Sequence, residues 1–473
     1  MSFVNPLNGR TSDGLHLPAA LDRRRFLQLS GLGLSAAALA ACGGPATVTQ
    51  SGSTAAGVSG SAGSAASSGI DYSGVKPASE ITWWSNHPGK SEDVEKALIE
   101  KFHQSQKDIK VTLVTAGANY EEVAQKFQTA QVGGELPNLV VFSDVWWFRY
   151  FLADTIAPLD PLIKQLEIDT SDYRDSLITD YQYNGQQWAL PFARSTPLFY
   201  FNKAHFAAAG LGDKAPATWD EFSEWVPKLQ GAGLGTQSVY QHPALAGYAG
   251  WSFQNNLWGQ GGGWSSEWDI TADSKQSVAA MQWLQDSVYR GKWAGVSSND
   301  AIDDLAAGAV SATIASTGSL VGAIKAAKFD IGVGFLPGGP TEKSPVCPTG
   351  GAGIGIPKKN TPEQQLAAAT FLKFLTLPEN TASFSAATGY MPVRKSADMK
   401  LVVQKTPQIQ VAIDQLAVTR SQDYARTFLP GADIEMANTC GKILTQQGDV
   451  ATELAALKVK LTDIYTSDVK PKL

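Results

Sequence analysis

Three short apolar runs decide the fold: ITWWS at residues 81–85, VTLV at 111–114 and LVVF at 139–142. Each is rich in β-branched and aromatic side chains and reads as a strand. Between them stand DVEKALIEKF at 93–102 and EEVAQKFQTAQV at 121–132, whose apolar residues recur at helical spacing. Strand, helix, strand, helix and strand in succession predict an α/β fold, with a mostly parallel sheet carrying helices on both faces.

Further along, Asn184-Gly185 lies between Tyr181-Gln182-Tyr183 and Trp188-Ala189-Leu190 and predicts a β-hairpin. Residues 198–201 predict a strand, and Thr218-Trp219-Asp220-Glu221 carries the capping-box pattern that opens a helix. A helix from Ala301, a strand at 312–315, a helix at 319–327 and a strand at 331–335 repeat the rhythm. The C-terminal part is largely helical. The expected architecture is two-lobed, residues 79–193 with 345–379 against 194–344 with 380–473. In such folds ligands sit at the carboxyl ends of strands, in the crevice between domains.

Composition narrows the function. The 473 residues are 43% hydrophobic and 17% charged, an ordinary globular balance. A net charge of −6, with no basic run beyond the extreme N-terminus, gives no electrostatic footprint for nucleic acid. Three cysteines exclude a disulfide scaffold, although Cys347 and Cys440 leave one bridge open. The histidines, at 16, 87, 103, 205 and 242, are too scattered for a His-rich metal site. No HExxH, CxxC, GxSxG, phosphate loop or Rossmann glycine triplet occurs, which fits a binding protein better than an enzyme. No cofactor is expected. Thirteen Trp, 13 Tyr and 19 Phe beside 45 Gly suggest a protein that stacks flat rings on something. Adjacent residues on a strand face opposite ways, so Trp83-Trp84 and Trp146-Trp147 are assigned to the core or its margin.

The N-terminus reads as an address. Arg23-Arg24-Arg25-Phe26-Leu27 precedes an apolar run at 29–41, too short to span a bilayer of about 30 Å and suited to a signal peptide. The arginines resemble a twin-arginine export signal. The run ends Leu39-Ala40-Ala41-Cys42, which looks like a lipobox, with Cys42 the lipidated residue after removal of 1–41. Residues 42–78, rich in Gly, Ser, Ala and Thr, then form a flexible linker reaching roughly 35 Å at about 5–6 Å × √n. The expectation is a lipid-anchored body facing outward from the cell membrane.

Several blocks carry a resemblance. ENTASF at 379–384 with TGYMPVR at 388–394, STGSL at 316–320, PTGGAG at 348–353 and ARSTPLFY at 193–200 are similar to cleft segments of the extracellular solute-binding proteins of ABC importers. NYEEVAQKF at 119–127, DVWWF at 144–148 and DYAR at 423–426 are similar to the branch of that family whose members bind glycerophosphodiesters, glycerophosphocholine in particular, as lipoproteins. The resemblance runs from about residue 81 to 430. It implies a periplasmic-binding-protein fold with a hinge, a monomer that delivers a small molecule to a membrane permease, and no catalysis.

The implied site residues can be matched to the ligand's chemistry. Arg426 is the expected charged donor to the phosphate, helped by the hydroxyls of Ser316 and Tyr390 and the backbone N–H of Gly351. Asp144, Tyr120 and Ser195 suit the glycerol hydroxyls, although Asp144 could equally cap a helix starting at Val145. Tyr248 and Trp251, three residues apart, would put two rings on one helix face. Such faces recognise a quaternary ammonium, and equally a sugar ring. An oligosaccharide receptor is therefore the runner-up. A secreted hydrolase of glycerophosphodiesters or glycosides is less favoured, because no metal cluster or defined carboxylate pair can be named for it.

Overall fold

The computed structural model describes residues 70–86 and 91–473. The export signal, Cys42 and His87 lie outside these residues, as does nearly all of the linker. Ten strands build two sheets: β1 (Glu80–Ser85), β2 (Lys110–Thr115), β3 (Leu139–Ser143), β4 (Leu190–Ser195), β5 (Pro197–Asn202), β6 (Ser238–His242), β7 (Ala294–Val296), β8 (Val310–Ser316), β9 (Ile331–Gly334) and β10 (Gly350–Gly355). The first sheet has the order β2-β1-β3-β10-β4 and the second β7-β6-β8-β5-β9. Each is the floor of one lobe, and the fold is two-lobed α/β.

Each sheet is mostly parallel, four of its five strands running one way, with one strand reversed. β1 pairs in parallel with β2 and β3, but β10 runs antiparallel to both β3 and β4. The second sheet repeats this, with β6 parallel to β7 and β8, and β5 antiparallel to β8 and β9. The parallel strands are those joined by helices within a lobe. The antiparallel ones lie where the chain passes from one lobe to the other, which needs no right-handed helical crossover. At one such passage only Thr196, fully buried, separates β4 from β5.

The local signals act largely as their chemistry requires. Asn184 and Gly185 both have positive φ, 51° and 72°, the geometry of a tight hairpin turn. Its ladder is only Gln182–Tyr183 against Gln186–Gln187, because from Leu190 the chain pairs with β10 instead. The Thr218 box is half made. Thr218 Oγ1 accepts from Glu221 N at 3.1 Å, while the Glu221 carboxylate accepts from Ala217 N at 2.6 Å. Seven helices follow β10, from Pro362–Leu375 to Val450–Ile464.

Most of the aromatic inventory proves to be core. Trp83 is fully buried, edge-on to Phe192 and Phe371 at 5.6 Å each. Trp147 is equally buried and meets Phe148 edge-on at 5.6 Å. Trp84 is half-buried under Lys126, whose Nζ lies 4.5 Å from the ring centroid. Cys347 and Cys440 are free thiols buried in different apolar clusters, so they form no bridge.

Candidate ligand-binding site

A cavity of about 280 Å³ opens between the two sheets, and all nine residues singled out from the sequence line it. Their positions follow from how the strands end. β3 stops at Ser143, and the next residue, Asp144, is turned into the cavity by its N–H, which donates to Gly351 O at 3.0 Å. Ser195 ends β4 and Ser316 ends β8, while Gly351 sits near the start of the antiparallel β10. Tyr120 opens the helix Tyr120–Gly133. Tyr390 follows Gly389, the left-handed cap of the helix Pro378–Thr388. Tyr248 and Trp251 flank the turn of the short helix Ala249–Ser252, and Arg426 belongs to the helix Tyr424–Thr427. Asp144 does not cap a helix, since the next one starts at Trp147 with no side-chain cap.

Gly351 is required by its backbone. It has φ +94°, and a Cβ there would stand 2.1 Å from Ala193 O. Neighbouring Gly350 lies flush against Trp251, where a Cβ would meet the indole at 2.5 Å. The same indole donates from Nε1 to Thr349 O at 2.9 Å, which fixes its plane. Tyr248 and Trp251 meet with centroids 5.7 Å apart and planes at 53°, an open V of two ring faces. Only four rings, Tyr120, Tyr248, Trp251 and Tyr390, line the cavity.

Arg426, the expected phosphate donor, is already paired. Its Nε donates to Asp433 Oδ1 at 2.9 Å and its Nη1 to Asp144 Oδ2 at 3.2 Å, with a further bond to Gln422. Burial opposes its charge, but the carboxylates of Asp433 and Asp144 outweigh burial and hold its pKa above the ordinary value. Burial, with smaller contributions from other groups, raises the phenol of Tyr120 well above its usual range and pushes that of Tyr390 up to about 12, so both remain neutral donors. Ser316 Oγ accepts from Gly318 N at 3.1 Å, which leaves its hydroxyl proton available to a ligand.

The lining also holds charged groups that the sequence reading missed: Glu121, Asp300 and Asp433. With Asp144 they set four carboxyl groups against one guanidinium. Asp433 gave no signal, being seven residues from Arg426 on another helix. Asp300 had one, an acidic residue a few positions past the end of a strand, as Asp144 is, and in its case also the N-cap of the next helix. Among the described residues no histidine lines the cavity, and no group of His, Cys, Asp and Glu could hold a metal ion.

This crevice at strand ends can be set beside known proteins. The family described as bacterial extracellular solute-binding protein matches residues 97–411, two thirds of the chain. The chain belongs to the bacterial extracellular solute-binding proteins. This solute-binding protein is similar to UgpB from Mycobacterium tuberculosis, solved in complex with glycerophosphocholine, at 41% identity and a TM-score of 0.78 over 82% of this chain and 98% of that one. It is 27% identical over 335 residues to the sn-glycerol-3-phosphate-binding periplasmic protein UgpB of Salmonella typhimurium, covering 67% of this chain and 75% of that protein. Maltose-bound MalE3 of T. maritima shares the fold at 22% identity and a TM-score of 0.71, over 81% of this chain and 99% of that one. As a member of this family the solute-binding protein is a transport component and not an enzyme. Among the described residues no helix is long and apolar enough to cross a membrane.

Proposed function

We propose that this solute-binding protein captures glycerophosphodiesters, glycerophosphocholine foremost, for an ABC importer. The observation that carries the reading is the charged lining among the described residues, four carboxyl groups and one guanidinium. A phosphate monoester would bring about two negative charges into that field. A glycerophosphodiester brings one, and a quaternary ammonium cancels it. The phosphate would take the Arg426 guanidinium in competition with Asp144, together with the Ser316 and Tyr390 hydroxyls and the Gly351 backbone. Glycerol would lie by Asp144, Tyr120 and Ser195. The ammonium would lie in the V of Tyr248 and Trp251, where each well-placed ring contributes about 0.5–2 kcal/mol.

A volume of about 280 Å³ suits one small molecule and is tight for an oligosaccharide. A neutral sugar would also have less need of a buried arginine. The two lobes, residues 79–193 with 345–379 and 194–344 with 380–473, would close on the ligand as one unit and, as a monomer, present the closed face to the membrane permease. Cys42 would carry the lipid that tethers the body to the outer face of the cell membrane, after twin-arginine export and removal of residues 1–41. Calorimetric titration with glycerophosphocholine, sn-glycerol-3-phosphate and maltotriose tests the ligand. Glycerophosphocholine should bind most tightly, and tighter binding of either of the others overturns the reading.

A further inference from the structure

Arg194 and Asp180 form a buried ion pair behind the cavity, and neither belongs to its lining. Arg194 stands on β4 with its side chain fully buried. Its Nη1 donates to the Tyr181 hydroxyl at 2.8 Å and its Nη2 to Asp180 Oδ2. The same carboxylate oxygen accepts from Thr349 Oγ1 at 2.6 Å. Thr349 is itself buried, and its carbonyl is the acceptor of Trp251 Nε1 at 2.9 Å. A continuous chain of hydrogen bonds therefore runs from the Arg194 guanidinium through Asp180 and Thr349 to a ring that lines the cavity.

The backbone at that carbonyl needs such an anchor. Thr349 connects the short strand Cys347–Pro348 to β10, and the next two residues are Gly350 and Gly351, whose dihedral freedom is the widest of any residue type. The ladder between β10 and β4 is also irregular here, its register shifting between Gly351 and Gly353. A peptide plane followed by two glycines turns easily, and a side-chain bond on the same residue stops it. That bond is strong, a hydroxyl donating to a carboxylate that an arginine already holds in place. A buried indole N–H must keep its acceptor, so the plane of Trp251 follows the Thr349 carbonyl.

We propose that Thr349, held by the Asp180–Arg194 pair, is a positioning residue for ligand recognition. Its hydroxyl sets the direction of its carbonyl, and the carbonyl sets the plane that Trp251 presents to the head group. The proposal rests on the glycerophosphodiester reading, in which the ammonium lies against that ring, and names the device that aims the ring. Thr349 acts through Trp251 alone.

Thr349→Val tests it, because valine removes the hydroxyl at nearly constant shape and leaves Asp180 paired with Arg194. Glycerophosphocholine affinity is measured by calorimetry in a double-mutant cycle with Trp251→Ala. Thr349→Val should weaken binding about fivefold, within the share that one ring contributes. In the Trp251→Ala background the same change should cost less than about twofold, since no ring is left to aim. Thr349→Ser keeps the hydroxyl and should bind within about twofold of wild type. Thermal melts verify that each variant is folded, and Thr349→Ala takes the place of valine in the cycle if valine is not tolerated. Equal losses in the two backgrounds, wild-type affinity in Thr349→Val, or a serine variant as weak as the valine one overturn the role of Thr349 while the functional reading stands. A wild type that binds no glycerophosphocholine overturns both.

Discussion

Arg426 and Asp144 are joined across the cleft. The arginine stands on a helix packed with the second lobe's helices, the aspartate just past β3 of the first sheet, and Nη1 meets Oδ2 at 3.2 Å with both side chains almost fully buried. Gln422 donates to the same Asp144 Oδ2 at 2.6 Å, so one carboxylate oxygen receives two donors from the facing lobe. On the proposed reading, the ligand's phosphate and the interlobe contact would draw on the same guanidinium, which would couple binding to closure.

Removing that guanidinium has two measurable effects. In Arg426→Ala the buried carboxylates of Asp144 and Asp433 lose their cation, a loss of about 3–5 kcal/mol where a buried pair is broken. Urea denaturation at neutral pH should show it. Calorimetry on the folded fraction should show glycerophosphodiester affinity down by at least about a hundredfold. A loss below about threefold would place the phosphate elsewhere.

Trp251 should separate head groups if the ammonium lies against its ring. Trp251→Ala opens the V and should narrow the gap between glycerophosphocholine and glycerophosphoethanolamine by about 1 kcal/mol. If titration finds both ligands weakened alike, the ring is only an apolar wall.

Gly351 should tolerate no side chain. In Gly351→Ala the new Cβ must displace the Ala193 carbonyl at a φ of +94°. The strained β10 start carries both Gly350, under Trp251, and the acceptor of Asp144 N. We expect a lower melting temperature together with loss of binding; wild-type behaviour in both would mean the strand can shift at no cost.

Glu95 makes stability depend on pH. It is buried, accepts from Ser85 Oγ at 2.7 Å, and burial pushes its carboxyl up to about 8. The folded state thus holds a proton that the unfolded chain releases near its ordinary value of 4.5. The stability this proton contributes is complete below pH 4.5 and is lost as pH rises through about 8, at up to about 1.4 kcal/mol per pH unit. Glu95→Gln, neutral at every pH, should flatten the profile. Melts at pH 5 and pH 9 should show wild type falling relative to the variant, and parallel curves would refute the assignment.

Cys42→Ala addresses the anchor. The variant should leave the membrane fraction for the soluble one, with the ligand affinity of the body unchanged. A variant that still pellets with membranes rules out a lipid anchor at this residue.

How much of this was written in the sequence follows from the range of the interactions involved. Strand and helix alternation at 81–142, the Asn184-Gly185 turn and the Thr218 cap are local effects of side-chain period and backbone preference, and they appear in the structure within a few residues of where they were expected. Seven of the nine cavity residues were legible because they lie in blocks that resemble a family, and Tyr248 and Trp251 because two rings three residues apart suggested a pair; no spacing showed a cavity. Spacing could not show it: Tyr120, Tyr248 and Tyr390 are more than a hundred residues apart from one another and meet only when two sheets face each other. The antiparallel β10 was equally hidden, since its direction is set by where the chain crosses between lobes. Above all, the state of Arg426 was a tertiary fact. The sequence supplied an arginine in a matched block, and only the tertiary structure decided that Asp144, just past β3, and Asp433, on the next helix, would pair with it. A buried charge is governed by what folding brings within a few ångströms, and sequence separation carries no information about that distance.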